Sequence, residues 1–218
     1  MRIHSAIAMM SSAAIAAAAS AGGTLVQVDI FGSIDFNVIQ GNQAGNMAGA
    51  PVHMGFLLNS NNFVNSGSFP TRGYEIDLTS WTMDVDGDPI NILDPQPFGP
   101  AYFVLRDNDP AVDGFLVSRD VNFPQPIGVT IPGLAPDHEL GFLATYSSNT
   151  VLSSLDIVDA VGSYDLTGIS SFHWWVGRFG NSGAEYIYES MTISIVPAPA
   201  SAGLLGVAGL VGLRRRRA

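Results

Sequence analysis

The feature that most constrains this chain is a period-two alternation of apolar residues, in short runs, across residues 24–195. Alternation puts every second side chain on one face of an extended strand, a pattern a helix cannot use. Val26, Val28 and Ile30 share a face in 24–31, and Ile34, Phe36 and Val38 share one in 34–39. Gly32-Ser33 between these runs reads as a tight hairpin loop. Asp86-Gly87 joins 79–85 to 89–93 as a two-residue loop that accepts positive φ at both positions. Further runs are 101–106, 114–118, 127–131, 141–146, 171–178 and 186–195. Only 152–161 hints at a helix, and a short one. About ten to twelve strands in one body predict an all-β fold, an antiparallel two-sheet sandwich of jelly-roll type, with a barrel as runner-up. The Gly/Asn stretch 41–49 reads as a surface loop.

Composition narrows the partners. The chain has no cysteine and no lysine, so disulfides, thiol nucleophiles and cysteine metal sites are excluded. Of its nine arginines, only Arg72, Arg106, Arg119 and Arg178 lie in the body, against all 19 acids. Four against nineteen leaves the body at −15, which argues against nucleic acid and against an anionic membrane surface. Apolar residues make up 47%, too many for a disordered acidic chain.

The two ends read as addresses. Residues 1–21 have the layout of a secretory signal peptide: Arg2 and His4, an apolar stretch 7–19, then Ala19-Ser20-Ala21 as small residues for a signal peptidase. The alternative is a buried N-terminal helix, for which the alanine run lacks bulky side chains. The body follows as 22–195, and 196–218 form a separate tail. Val196-Pro197-Ala198-Pro199 leaves the last strand, an apolar run 201–213 follows, and Arg214, Arg215, Arg216 and Arg217 close it. As a helix that run is about 20 Å long, against a hydrocarbon core of about 30 Å, so it crosses a membrane only marginally. Four arginines after it act as a cytoplasmic stop, which puts the body outside.

This three-part layout resembles the PEP-CTERM sorting signal of Gram-negative bacteria. The resemblance covers Val196 to Arg217, with Ala198 where the name-giving motif has Glu. It implies export by the secretion machinery and a transient anchor in the cytoplasmic membrane. It further implies processing by an exosortase-like membrane enzyme and delivery to the cell surface or extracellular matrix, where exopolysaccharide is a potential partner. An ordinary C-terminal membrane anchor is the alternative. Residues 101–110 and 153–160 look similar to segments of uncharacterised bodies that carry the same tail; this adds grouping and no activity.

Chemistry-bearing residues are sparse. Asp84, Asp86 and Asp88, with Asp94 beyond, read chiefly as strand and turn residues around the Asp86-Gly87 loop. Asp107, Asp109 and Asp113 are the calcium candidates, because an Asp-Asn-Asp-Pro turn can fold several oxygens around one point. Plain turns bonded to their own backbone are the alternative. His53, His138 and His173 are far apart, and no Gly-x-Ser-x-Gly elbow exists, so no catalytic residue is assigned. On the strand around 172–176, Phe172, Trp174 and Val176 form the better core face. His173 and Trp175 then lie on the outer face as a candidate platform for a sugar. Glu189 shares the parity of Ile187, Met191, Ile193 and Ile195, so it points inward unless a bulge turns it out. These readings predict a non-catalytic exported surface or matrix protein without a required cofactor. The alternative is a carbohydrate-binding module, calcium-dependent if the acidic turn holds the ion.

Overall fold

The alternating runs become strands, longer and more numerous than the sequence pattern alone marks. The computed structural model describes residues 22–37, 47–133, 138–169, 176–178 and 182–197. In chain order the strands are β1 Leu25–Asn37, β2 Pro51–Asn65, β3 Thr71–Val85, β4 Asp88–Pro89, β5 Asn91–Ile92, β6 Tyr102–Arg106 and β7 Gly114–Ser118. They continue with β8 Ile127–Thr130, β9 His138–Leu140, β10 Phe142–Thr145, β11 Gly162–Asp165, β12 Val176–Arg178 and β13 Ser182–Ile195. Every strand ladder is antiparallel. Hydrogen bonds run continuously through the order β10-β7-β6-β3-β2-β1-β13-β12-β9-β8-β5, with β11 on β13 and β4 on β3. The fold is therefore all-β and antiparallel, as expected.

The sheet curls on itself. Phe142 on β10 meets Tyr188 on β13 at 5.0 Å between ring centroids, although five strands separate them in the hydrogen-bonded order. Phe115 on β7 meets Tyr164 on β11 at 4.8 Å. The concave face holds the main core, in which Val26, Val28 and Ile30 of β1 pack with Met54, Phe56 and Leu58 of β2 and Phe103 of β6. Each such fully buried side chain contributes about 1.5–3 kcal/mol of transfer free energy. A smaller cluster, Val104, Leu116 and Leu143, lies apart from the main core on β6, β7 and β10.

The Asp86-Gly87 turn forms as read, with φ of 53° and 88°. The Gly32-Ser33 hairpin does not. β1 runs straight through it, because β2 and β13 occupy both of its edges and leave the chain no side on which to turn back. Gly32 is needed there for a different reason: a Cβ would lie 2.1 Å from the Ile187 carbonyl oxygen. At this point the β1–β13 register shifts between Phe31/Gly32, opposite Ser190 and Tyr188. Glu189 falls in the bulge and turns outward, where it accepts the Ser33 hydroxyl at 3.1 Å. Tyr186 and Tyr188 before the bulge, and Met191 and Ile193 after it, are all buried.

The short helix expected over 152–161 is absent, and no α-helix occurs among the described residues. The Asp113 carboxylate accepts the N–H groups of Val151 and Leu152 at the start of this segment. Within it, side chains take backbone groups a helix would use. The Tyr74 hydroxyl accepts from Ile157 and donates to the Leu155 carbonyl. Ser154 caps Asp156, and Asp156 caps Val158. One turn remains, in which the Asp156 carbonyl accepts the N–H groups of Asp159 and Ala160. Residues 41–46 of the expected surface loop, and the expected C-terminal helix, lie outside the described residues.

Candidate functional site

The acidic turn between β6 and β7 is closed by its own bonds. Asp113 is fully buried and accepts three backbone N–H groups, from Asn108 at 3.0 Å, Val151 at 2.7 Å and Leu152 at 2.8 Å. Asp109 pairs with the Arg106 Nε at 3.3 Å, and Asp107 accepts the Asn108 side-chain amide at 2.6 Å. Burial, followed by the nearby Asp113 charge, raises the Asp107 pKa above its ordinary value. The three acids thus each answer to a different partner. Among the described residues no group of three or more His, Cys, Asp or Glu side chains is arranged to hold a metal ion.

A second polar cluster stands on the β1–β2–β3 face that points away from the core. His53 places Nε2 3.0 Å from Asp29 Oδ1 and Nδ1 3.8 Å from Asp84 Oδ2. Phe31 stacks on its ring at 4.7 Å. Both ring nitrogens face carboxylates, so neither is presented to a hydroxyl nucleophile, and the cluster does not form a Ser/His/Asp triad. Asp84, on β3, also accepts the Gly87 N–H at 3.2 Å and so helps close the Asp86-Gly87 turn.

A concavity lies elsewhere, where two loops meet β9. It has a volume of about 310 Å³ and is lined by Phe98, Arg119, Asp120, Gln125 and Glu139. The loop between β5 and β6 presents Phe98, and Gln96 pins that loop down. Its amide donates to the Leu93 and Gly128 carbonyls at 2.8 and 2.9 Å, while its oxygen accepts the Gly128 N–H at 2.9 Å. Gly128 allows the close fit, since a Cβ there would stand 2.8 Å from Leu93 and 3.0 Å from Pro97. In the β8–β9 ladder Gly128 pairs with Glu139, which brings that carboxylate to the same place.

The other loop, between β7 and β8, is organised by one buried hydroxyl. Ser118 Oγ accepts the N–H groups of Asp120 and Gln125 at 3.1 and 2.9 Å and donates to the Phe123 carbonyl at 3.1 Å. Asp120 Oδ1 accepts both the backbone and the side-chain N–H of Asn122. Arg119 then lies over the Phe98 ring at 4.4 Å and donates to Gln125 Oε1 at 3.2 Å. The guanidinium is thereby held by a ring and an amide. With one cation and two carboxylates, the opening presents both donors and acceptors to a small polar ligand.

None of these five residues was singled out from the sequence. The only local signals were the turn-rich segment Pro95-Gln96-Pro97-Phe98-Gly99-Pro100 and an Arg-Asp pair at the end of a strand. The sugar candidates His173 and Trp175 lie outside the described residues, as do Ala198, Pro199, Arg214, Arg215, Arg216 and Arg217 of the tail. Val196 and Pro197 are described, and the Val196 N–H donates to the Leu25 carbonyl at 2.9 Å. No protein-family model, curated protein or solved structure matches this chain.

Proposed function

We propose that this chain is a non-catalytic exported protein, anchored transiently in the cytoplasmic membrane by a PEP-CTERM-type tail, processed there by an exosortase-like membrane enzyme and then delivered to the cell surface or extracellular matrix. The observation that carries this reading is the two-address layout of the sequence: a signal-like segment at 1–21, and Val196-Pro197-Ala198-Pro199 followed by an apolar run and Arg214 to Arg217. The body suits such handling. β13 is fully paired with β1 up to Ile195, and the last ladder bond is Val196 to Leu25. Cleavage beyond Pro197 therefore leaves the β1–β13 ladder whole. A net charge of −15 on the body favours solubility among acidic polymers. We read the curled sheet as a flattened jelly-roll sandwich, a reading supported by the contact of Phe142 with Tyr188 across the core.

Cell fractionation tests the sorting. The full-length chain is expected outside the cytoplasm, and replacing Arg214 to Arg217 with neutral residues is expected to disturb its retention and processing at the membrane. Full-length protein accumulating in the cytoplasm overturns the reading.

A further inference from the structure

We propose that the opening formed by Phe98, Arg119, Asp120, Gln125 and Glu139 is a binding site for one ring of a neutral sugar. The inference stands apart from the sorting reading, since the site belongs to the body and uses no residue of either terminal segment.

A pyranose presents a face of C–H groups and a rim of hydroxyls that both donate and accept. A site for it needs an accessible flat ring beside donors and acceptors fixed in a plane. Phe98 is 66% exposed even with Arg119 over it, so a large part of its ring is left for contact. An exposed phenyl ring at the mouth of a polar concavity calls for a reason, and the Arg119 guanidinium over it leaves most of it open.

The polar half of the match is equally specific. Arg119 has five N–H donors and spends one on Gln125. The Gln125 amide nitrogen remains a donor. Asp120 uses Oδ1 for Asn122 and leaves Oδ2 to accept. Glu139 supplies the second carboxylate. Two carboxylates against one guanidinium make the opening net negative, which selects against uronates, sulfates and phosphates and in favour of a neutral ligand. Its volume of about 310 Å³ lies at the low end for small-molecule sites, where a single hexose ring belongs.

The side chains are set before the ligand arrives. Arg119 is stacked and hydrogen-bonded, Gln96 clamps the Phe98 loop to β8, and Ser118 closes the loop carrying Asp120 and Gln125. Little side-chain freedom is lost on binding, so even a small contact area can yield measurable affinity.

The test uses the full-length chain in detergent. Neutral gluco-, manno- and galacto-oligosaccharides and a uronate oligosaccharide are presented on an array, and the best binder is titrated by calorimetry. We expect at least one neutral oligosaccharide to bind and the uronate not to. Phe98→Ala and Glu139→Gln are each expected to weaken binding about tenfold or more. Arg119→Lys keeps the charge and loses the planar fork, and is expected to weaken it as well. His53→Ala, away from the opening, is expected to leave binding unchanged. Phe98 is exposed and Glu139→Gln is isosteric, so unchanged melting temperatures separate lost binding from lost folding. The proposal is overturned if no neutral oligosaccharide binds, if the uronate is preferred, or if Phe98→Ala and Glu139→Gln leave the affinity intact. Localisation by fractionation is a separate measurement, so the two readings fail independently.

Discussion

The Asp113 carboxylate, on the loop entering β7, accepts the backbone N–H of Leu152 at 2.8 Å, thirty-nine positions along the chain. The same carboxylate takes Val151 and Asn108, so one buried acid ties the β6–β7 loop to the segment after β10. Hydrogen bonds to an ionised acceptor contribute about 1.5–3 kcal/mol each, and they are not additive. Asp113→Ala leaves buried N–H groups unsatisfied and is expected to cost on the order of 4 kcal/mol in chemical denaturation. Asp113→Asn keeps one acceptor oxygen but turns a donor toward an N–H, so it is expected to recover only part. A loss below about 1 kcal/mol for Asp113→Ala would remove the tie.

Calcium is the second test of this loop. Asp113 is spent on backbone donors and Asp109 on Arg106, which leaves no converging set of free carboxylates. We expect millimolar calcium to leave the melting temperature unchanged. A rise that Asp109→Ala abolishes would instead assign the loop a metal, since a ligand that binds only the folded state stabilises it by mass action.

Asp107 carries a pH signature. Burial, followed by the Asp113 charge, raises its pKa, so the folded state resists its ionisation. A carboxyl whose folded pKa is raised destabilises the fold at pH values above both pKa values and has no such effect below both. Asp107→Asn keeps an oxygen for the Asn108 amide and is expected to raise the melting temperature slightly at neutral pH. That gain is expected to vanish as the pH falls below the ordinary carboxylate range. A gain independent of pH would refute the charge explanation.

The tyrosines set the alkaline limit. Burial raises Tyr146 to about 12, with Tyr164 and Asp165 adding to the effect. Burial also raises Tyr164, Tyr186 and Tyr188, the last with a contribution from Tyr186. A group whose folded pKa exceeds its unfolded value contributes stability in full below the unfolded pKa, about 10, and loses it as pH rises toward the folded one. Stability is therefore expected to fall steeply above about pH 10. Tyrosinate absorbance from these rings is expected to rise together with the loss of β-sheet circular dichroism. Full ionisation in a still-folded protein would contradict their burial.

Gly32 tests the bulge. A methyl group there meets the Ile187 carbonyl, which belongs to the paired strand and cannot step aside without opening the β1–β13 ladder. Gly32→Ala is expected to cost about 3 kcal/mol, at the upper end for overpacking. Gly49→Ala, with open space around it but φ of 83°, is expected to cost less, through backbone strain alone.

What the sequence by itself determined was the strand character of the body and the Asp86-Gly87 turn. These depend on neighbours one to three residues apart, which sit in the same relation in the unfolded chain. β2 was not read from the sequence, although Val52, Met54, Phe56 and Leu58 alternate in it; Leu57 blurs the pattern and the run Asn59-Ser60-Asn61-Asn62 hides its continuation to Asn65. The helix expected at 152–161 failed because Tyr74, distant in sequence, takes the Leu155 carbonyl and the Ile157 N–H that its ladder would use. Whether Glu189 pointed in or out rested on a register shift against β1 that no local pattern encodes. The opening around Arg119 came from tertiary structure alone: Phe98, Arg119 and Glu139 lie on separate segments, and only the β8–β9 pairing and the Gln96 clamp bring them to one place.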